Sequence, residues 1–457
     1  MVVNKAQGAR SARRKPEIID DKPGLDARRV ATRLLGAVVD ARSSLDAVTD
    51  SEHGHPQYVA LDPRDRALVR AMLVTALRRR CGIEKAIMQR LDRPLPGNAR
   101  SLSHILHIGA VQILFLDVPD SAAVDLAVSQ AKSDPRNSRF SALVNGVLRN
   151  IARRKDAILQ KIDEVVDAPE WFQTRLSEAY GAERAARILA AHRLEAPVDF
   201  TVKSDPKRWA EAFGGTVLAN GSVRVDKLDT SVPELEGFDE GEWWVQDAAA
   251  SLPAKLIGAR PGMRVLDLCA APGGKTAQLA HYGAKVTAVD LSASRLKRLA
   301  ANLQRLKLDA EISKADGLTL TVEEPFDAVL LDAPCSSNGT VRRHPDVPWT
   351  KTPEDIEKLA ELQRKLLEHA ATLVRAGGTL VFANCSIDPL EGEAVVSQVL
   401  ASDLGLELST ITASELTGAA HFITPEGYLR TLPDAAEAEE GKLQAVDGFF
   451  AARFVKR

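Results

Sequence analysis

The sequence predicts a multidomain chain: an all-α bundle, then a small α/β subdomain, then a doubly wound parallel α/β domain. Three observations predict it. Residues 26–155 carry apolar positions at helical spacing between proline breaks. From about residue 197 the pattern alternates with the period of a strand. From 264 onward short apolar strands alternate with helical stretches. At 457 residues the chain exceeds the size of one ordinary core.

In the first block, Leu102, Ile105, Leu106, Gly109, Ala110, Ile113 and Leu114 follow the i, i+3, i+4, i+7 rule of a buried helix face. Further helices are expected at 61–81, 121–132 and 138–154, with breaks at Pro94, Pro96, Pro119 and Pro135. Short helices with brief connections predict a compact bundle. Residues 156–192 read as helix again, broken at Pro169. Val198–Val202 and Ser222–Val225, the latter after the Asn220-Gly221 turn signal, read as strands of a small α/β unit. The working divisions are a basic tail (1–25), the bundle (26–155), linker helices with the small unit (156–245), and the large α/β domain (246–457).

In that last domain, strands are expected at Arg264–Leu268, Lys285–Asp290, Ala310–Lys314, Phe326–Asp332 and Thr379–Ala383. Helices are expected at 293–307 and 354–375, the second ended by Gly377-Gly378. A parallel sheet of this kind binds ligands at the carboxyl ends of its strands. The Ala/Glu stretch 435–440 reads as an exposed loop.

Composition excludes several classes. Hydrophobic residues make up 45% and charged residues 27%, a globular balance. No apolar run approaches the roughly 18 residues of a membrane span. The N-terminal Lys5, Arg10, Arg13, Arg14 and Lys15 precede no apolar stretch, so no secretory signal is read there. The four cysteines, Cys81, Cys269, Cys335 and Cys385, form no CxxC pair and no metal or disulfide spacing, which fits a reducing cytosol. Charge is uneven: residues 1–155 hold 27 Lys and Arg against 16 Asp and Glu, and the remainder holds 33 against 46. A basic block beside an acidic one hints at nucleic-acid binding, although helical surfaces also vary in charge for no functional reason.

Three segments sit where chemistry is expected. The first is Asp267-Leu268-Cys269-Ala270-Ala271-Pro272-Gly273-Gly274-Lys275-Thr276, between a strand and a helix. Its small residues let the backbone approach a ligand. Cys269 stands where a phosphate-binding P-loop needs glycine, and no G-x-G-x-x-G is present, so a nucleoside cofactor without a pyrophosphate remains. Asp290, 23 residues after Asp267 and at a strand end, has the spacing of an acid that takes ribose hydroxyls; alone it would be an ordinary turn residue. The second segment is Asp332-Ala333-Pro334-Cys335-Ser336-Ser337, and the third Asn384-Cys385-Ser386. A lone buried cysteine is usually inert. Two cysteines, each at the carboxyl end of a strand of this sheet and facing one cleft, are better read as reactive thiols.

The D-A-P-C-S segment paired with a later cysteine-serine strand end resembles the RNA cytosine-5 methyltransferases. The loop C-A-A-P-G-G-K-T is similar to their cofactor motif. Asn338-Gly339, Arg342-Arg343-His344-Pro345-Asp346, Trp349, Gln246-Asp247-Ala248-Ala249 and Asp447-Gly448-Phe449-Phe450 extend the resemblance. Asp62-Pro63-Arg64-Asp65-Arg66 and Val144-Asn145-Gly146-Val147-Leu148-Arg149 resemble a NusB-like RNA-binding domain. The combination resembles the Sun/Fmu family, which modifies small-subunit ribosomal RNA, over nearly the whole chain after residue 26.

The resemblance implies a Rossmann-like domain that binds S-adenosylmethionine and methylates C5 of a cytosine in 16S ribosomal RNA. It implies Cys385 as nucleophile toward C6, Cys335 as the group assisting proton removal or product release, and Asp332 at the pyrimidine edge and the cofactor's methionine end. Cys269, Ala270, Ala271, Pro272, Gly273, Gly274 and Lys275 would surround the cofactor, with Asp290 at its ribose and Asp316 at its adenine. Asn384 departs from the family, which has threonine before the nucleophile, and DNA cytosine methyltransferases use the Pro-Cys cysteine instead. Arg342, Arg343 and His344 are expected to hold RNA phosphates. No metal site is expected. A cytoplasmic monomer is expected. The other functional readings are methylation of transfer RNA and a non-catalytic RNA-binding assembly factor; both cysteines and the complete glycine loop weigh against the latter.

Overall fold

The computed structural model describes residues 22–434 and 443–457. The tail expected at 1–25 lies outside these residues up to Asp21, and the loop expected at 435–440 lies outside them entirely. The described chain gathers into two compact units. One takes the residues up to Gly36, Thr49–Ala76 and Ile83–Ile162; the other takes Ala37–Val48, Leu77–Gly82 and Asp163–Arg457.

The first unit is all helix. Its helices are Pro56–Val59, Arg100–Phe115, Asp120–Ser133, Ser141–Arg153 and Lys155–Ile162, with most of Leu25–Val39, Pro63–Arg78 and Arg80–Met88. Arg100–Phe115 is buried almost all round, which marks it as the central helix. Gly109 is required where this helix meets Ser141–Arg153: a Cβ there would stand 2.6 Å from Leu148 Cδ1. The buried Gln112 on the same helix is satisfied by Arg28 Nε, which donates to it at 2.8 Å, and by its own bond to the Ile108 carbonyl.

The second unit holds two sheets. The smaller contains β1 (Val198–Val202), β2 (Thr216–Val217), β3 (Val223–Val225) and β4 (Trp243–Val245) in the order β2-β3-β1-β4. Phe200, Trp209 and Trp243 form its core. A buried pair, Arg224 Nε to Asp199 Oδ1 at 2.7 Å, ties β3 to β1, and Asp199 Oδ2 accepts the Ala248 N–H at 3.0 Å. This carboxylate hooks the smaller sheet onto the segment that leads into the larger one.

The larger sheet contains β5 (Arg264–Leu268), β6 (Lys285–Asp290), β7 (Glu311–Lys314), β8 (Phe326–Asp332), β9 (Val374–Asn384), β10 (Leu406–Leu408), β11 (Leu429–Thr431) and β12 (Phe449–Lys456). Its order is β10-β12-β9-β8-β5-β6-β7, with β11 on β12. β5 to β9 pair in parallel. Val265, Leu266 and Leu268 are wholly buried, as a strand covered by helices on both faces must be. The sheet is mixed rather than purely parallel, because β12 runs antiparallel to β9, and β10 and β11 run antiparallel to β12.

Strand order reverses between β5 and β8, and such a switch point opens a crevice at the carboxyl ends. The glycine loop follows β5 and the Pro-Cys segment follows β8, so both line that crevice. One expectation is corrected here. The helix Pro353–Leu373 stops before Gly377-Gly378, and these glycines lie inside β9, where Phe326 pairs Val374 but Ala328 pairs Thr379. The extra residues form a bulge in which Gly377 adopts φ 72°.

Candidate active site

The Cys269–Lys275 loop is shaped by backbone requirements. Cys269 takes the left-handed conformation (φ 60°) and Gly273 a φ of 101°. A Cβ at Gly273 would stand 2.8 Å from Leu299 Cγ, so the helix Ala293–Leu306 packs directly on the loop. Asp290, at the end of β6, holds the loop from the other side: its Oδ2 accepts the Ala271 N–H at 3.2 Å and its Oδ1 accepts the Ser292 N–H at 2.8 Å. Arg295 bonds the Ala271 carbonyl and lies 3.5 Å from Asp290. Burial pushes the Cys269 thiol up to about 12, so this cysteine lines the loop as a neutral group.

Asp267 is fully buried near the end of β5. Its Oδ2 accepts the Thr276 hydroxyl at 2.6 Å, while its Oδ1 has no hydrogen-bond partner among the described residues. Burial raises its carboxyl to about 7. A buried acceptor without a partner, beside a glycine loop, suits a ligand that brings an N–H donor or a cation. The adjoining cavity, about 470 Å³, is walled by Trp243, Trp244, Pro272, Gly273, Lys275, Asp332 and Phe449 among others. It has the size and the mixed lining of a small-molecule site, and the residues present fit S-adenosylmethionine.

Lys275 crosses this cavity. Its Nζ donates to Asp332 Oδ2 at 2.6 Å and lies 5.2 Å from the Phe449 ring centroid. Burial alone would lower its pKa; the Asp332 carboxylate outweighs that and keeps the ammonium charged. Cys335 and Cys385, 50 residues apart in sequence, meet with their sulfurs 3.3 Å apart. The hydrogen bond from Cys335 lowers the Cys385 pKa against the opposing effect of burial, with help from Ser337 (3.5 Å) and the Lys275 charge. The same bond and burial drive Cys335 well above its ordinary value. The pair therefore consists of a thiolate-prone Cys385 and a proton-holding Cys335.

Two of the three residues expected to grip phosphate are otherwise engaged. Arg342 is buried, bonded to Asp447 Oδ1 at 2.7 Å and to the Ala445 carbonyl. Arg343 spans Asp447 Oδ2 (2.6 Å), Asp247 Oδ2 (2.8 Å) and the Pro197 carbonyl. Their donors are spent on holding three distant segments together, which corrects the assignment to RNA phosphates. His344 lines the cavity, with its Nδ1 3.0 Å from Asp46 Oδ2. Asp316 is exposed after β7, where its Oδ1 accepts the Leu318 N–H at 2.9 Å.

Sequence reading did not single out the groups behind the two thiols. Ser336, Ser386, Gln363 and Glu391 are all wholly buried. Gln363 left a usable signal: it interrupts the apolar face Ile356, Ala360, Leu367, Ala370 of its helix, and a polar residue on such a stripe needs a buried partner. Glu391, in a one-turn 3-10 helix, has no periodic context that could mark it.

A glycine loop at the switch point of a mixed sheet, with thiols at the adjacent strand ends, defines an S-adenosylmethionine-dependent methyltransferase. The family model described as "16S rRNA methyltransferase RsmB/F" matches residues 254–455, and that of the NusB family matches 25–153. Ribosomal RNA small subunit methyltransferase B of Serratia proteamaculans is 32% identical over 95% of this chain and 100% of its own length. The protein of that name from Erwinia tasmaniensis is 32% identical over 94% and 98%. Among solved structures, PH0851 shares the fold at TM-score 0.69 and 21% identity, covering 95% of this chain and 99% of its own. A methyltransferase homologue from Pyrococcus horikoshii matches at TM-score 0.52 and 27% identity, over 62% of this chain and 94% of its own. The chain belongs to the RsmB family of methyltransferases.

Proposed function

We propose that the chain methylates C5 of a cytosine in 16S ribosomal RNA through a covalent bond between Cys385 and C6. The observation that carries this reading is the thiol pair just past the ends of β8 and β9, 3.3 Å apart and biased toward a Cys385 thiolate. Cytosine C5 is a poor nucleophile. Addition of the Cys385 sulfur to C6 makes C5 enamine-like. Asp332, held by Lys275, faces the pyrimidine edge near N3 and stabilises the charge that develops there. When bound, S-adenosylmethionine supplies the electrophilic methyl group that C5 takes up. Cys335, once its own proton has passed to solvent, takes the C5 proton, and the electron pair of that bond expels Cys385 from C6 as the thiolate. Cys269–Lys275 and Asp290 hold the cofactor in this reading, with Asp316 at its adenine.

The target base must be unstacked or already in a loop. The helical unit offers the phosphate contacts that Arg342 and Arg343 do not. Lys85, Arg90, Arg154 and Lys161, together with Asp92, line a cavity of about 430 Å³. Arg90 Nε is buried without a hydrogen-bond partner among the described residues, and burial together with the nearby Arg154 charge lowers its pKa. Like charges held this close favour an anion between them. Among the described residues no helix is long and apolar enough to cross a membrane, and we place the reaction in the cytoplasm.

Bisulfite sequencing of ribosomal RNA from a deletion strain tests the substrate: one cytosine of the small subunit should lose its mark, and an unchanged pattern would sink the proposal. Cys385→Ala should abolish transfer, whereas Cys335→Ala should accumulate a covalent protein–RNA adduct. The opposite pattern would exchange the two roles.

A further inference from the structure

Glu391 is wholly buried and does not line the cofactor cavity, yet it touches every segment behind the two thiols. Its Oε1 accepts the Ser336 N–H at 2.8 Å and Gln363 Nε2 at 2.9 Å. Its Oε2 accepts the Ser336 hydroxyl at 2.5 Å and the Ser386 hydroxyl at 2.7 Å. Its own carbonyl accepts Asn384 Nδ2 at 2.6 Å. Ser336 follows Cys335, and Ser386 follows Cys385. One carboxyl group therefore joins the residues next to both sulfurs, and Gln363 braces the first of them again through the Pro334 carbonyl at 3.0 Å.

The donors come from three separate places: the end of β8, the end of β9 and the helix Pro353–Leu373. A carboxylate accepts all four of these bonds at once with its two oxygens. An amide would turn an NH2 toward the two serine hydroxyls, which must then reorient to accept from it, Ser386 by donating instead to Asn338 Oδ1 at 3.0 Å. Burying a carboxyl group is expensive, and apolar residues would fill the space at lower cost, so its presence points to geometric specification rather than stability. Its hydrogen bonds go to the neighbours of the two cysteines rather than to the sulfurs.

We propose that Glu391 is a positioning residue that sets the spacing and aim of the Cys335–Cys385 pair. By fixing Ser336 and Ser386 to one carboxylate, it fixes the two strand ends whose neighbouring residues carry the sulfurs. This rests on the reading of both cysteines as the reacting groups, but the spacing itself can be measured without RNA or methyl transfer.

The experiment compares the full-length protein with Glu391→Gln and, as a gentler pair, Ser336→Ala and Ser386→Ala. Three quantities are read: the kcat and KM of transfer, S-adenosylhomocysteine affinity by calorimetry, and the rate at which diamide links Cys335 to Cys385. In that linkage the two thiols lose two protons and two electrons to the azo oxidant as the S–S bond forms. Glu391→Gln should lower kcat by about 10²-fold, the scale of a misplaced reacting group, with both KM values and the affinity unchanged. Diamide linkage should slow at least about tenfold, and the serine variants should fall in between. Wild-type linkage and kcat in Glu391→Gln would overturn the proposal. So would losses that track lost cofactor affinity across all three variants, since that pattern belongs to general unfolding. If wild-type protein methylates no cytosine while its linkage rate still depends on Glu391, the functional reading fails and the positioning role stands.

Discussion

Lys275 Nζ lies 2.6 Å from Asp332 Oδ2, joining the first residues of a helix after β5 to the last residue of β8 across the crevice. The lysine belongs to the glycine loop by sequence, yet its cation serves the strand end where a base would be held. Its side chain is nearly buried, 9% exposed against 31% for Asp332, so water can solvate the carboxylate but hardly reaches the ammonium.

Replacing Lys275 with Met should leave Asp332 without its cation, and on the proposed reading the pyrimidine edge loses its electrostatic support. Transfer should fall by roughly 10²–10³-fold in kcat, the usual loss when one preorganised electrostatic partner is removed. Binding of S-adenosylhomocysteine should fall far less. Steady-state kinetics beside calorimetry would show the difference, and an equal loss in both would place the lysine on the cofactor instead.

The rate should depend on pH in a defined direction. Cys335, Ser337 and Lys275 hold the Cys385 pKa below 9.0, the ordinary value of a cysteine thiol. A thiolate so favoured is present above its folded pKa and lost as pH falls through it. Single-turnover transfer should rise with pH through a limb lying below that ordinary value. Ser337→Ala should shift the limb upward. A limb at the free-thiol value in the parent protein would contradict the coupling.

Arg343 bridges two buried carboxylates, so Arg343→Met strands Asp247 and leaves Asp447 to Arg342 alone. The expected cost is on the order of 3–5 kcal/mol of stability, as for other buried charges that lose a partner. Urea denaturation would measure it. RNA affinity of the fraction that remains folded should be unaltered; weakened RNA binding at unchanged stability would restore the phosphate-gripping role.

Asp290 anchors the Ala271 N–H of the loop after β5 and the Ser292 N–H beside its own strand end. Asp290→Ala should weaken S-adenosylmethionine binding in calorimetry, and Asp290→Asn, which keeps one acceptor, should weaken it less. Unchanged affinity in the alanine variant would remove the residue from the site.

The helical unit should carry the salt-dependent part of RNA affinity. Arg90→Ala with Arg154→Ala should lower that affinity and reduce the slope of log affinity against log salt by about one to two, roughly one for each phosphate no longer neutralised. Cofactor binding is the internal control.

Much of this was legible in the residues before the fold. Strands such as Phe326–Asp332 announced themselves because burial on both faces demands an unbroken apolar run. The loop and the two cysteines stood out because their residue types are unusual at strand ends. What stayed hidden depends on partners far away in the chain. Arg342 and Arg343 beside a reactive loop read as free cations, and only the return of Asp447 and Asp247 shows them spent. Gly377-Gly378 reads as a helix stop, since glycine marks a cap and a bulge equally well. Glu391 could not be found at all, because its role is written in Ser336, Ser386 and Gln363, none of which is near it in an amphipathic pattern.

The clamp at Arg343 also bears on how the catalytic unit comes to be folded. Asp247, Arg343 and Asp447 are drawn from its beginning, middle and end, so this contact closes two loops of about a hundred residues each, and such closures are late and slow in chain collapse. Until they close, the guanidinium and both acids have no compensating charge in an apolar interior. A half-folded catalytic unit would thus be penalised at the same point where the cavity wall is completed, so binding competence should be acquired in a single step. Refolding followed by cofactor fluorescence quenching and by global structure should then trace one curve.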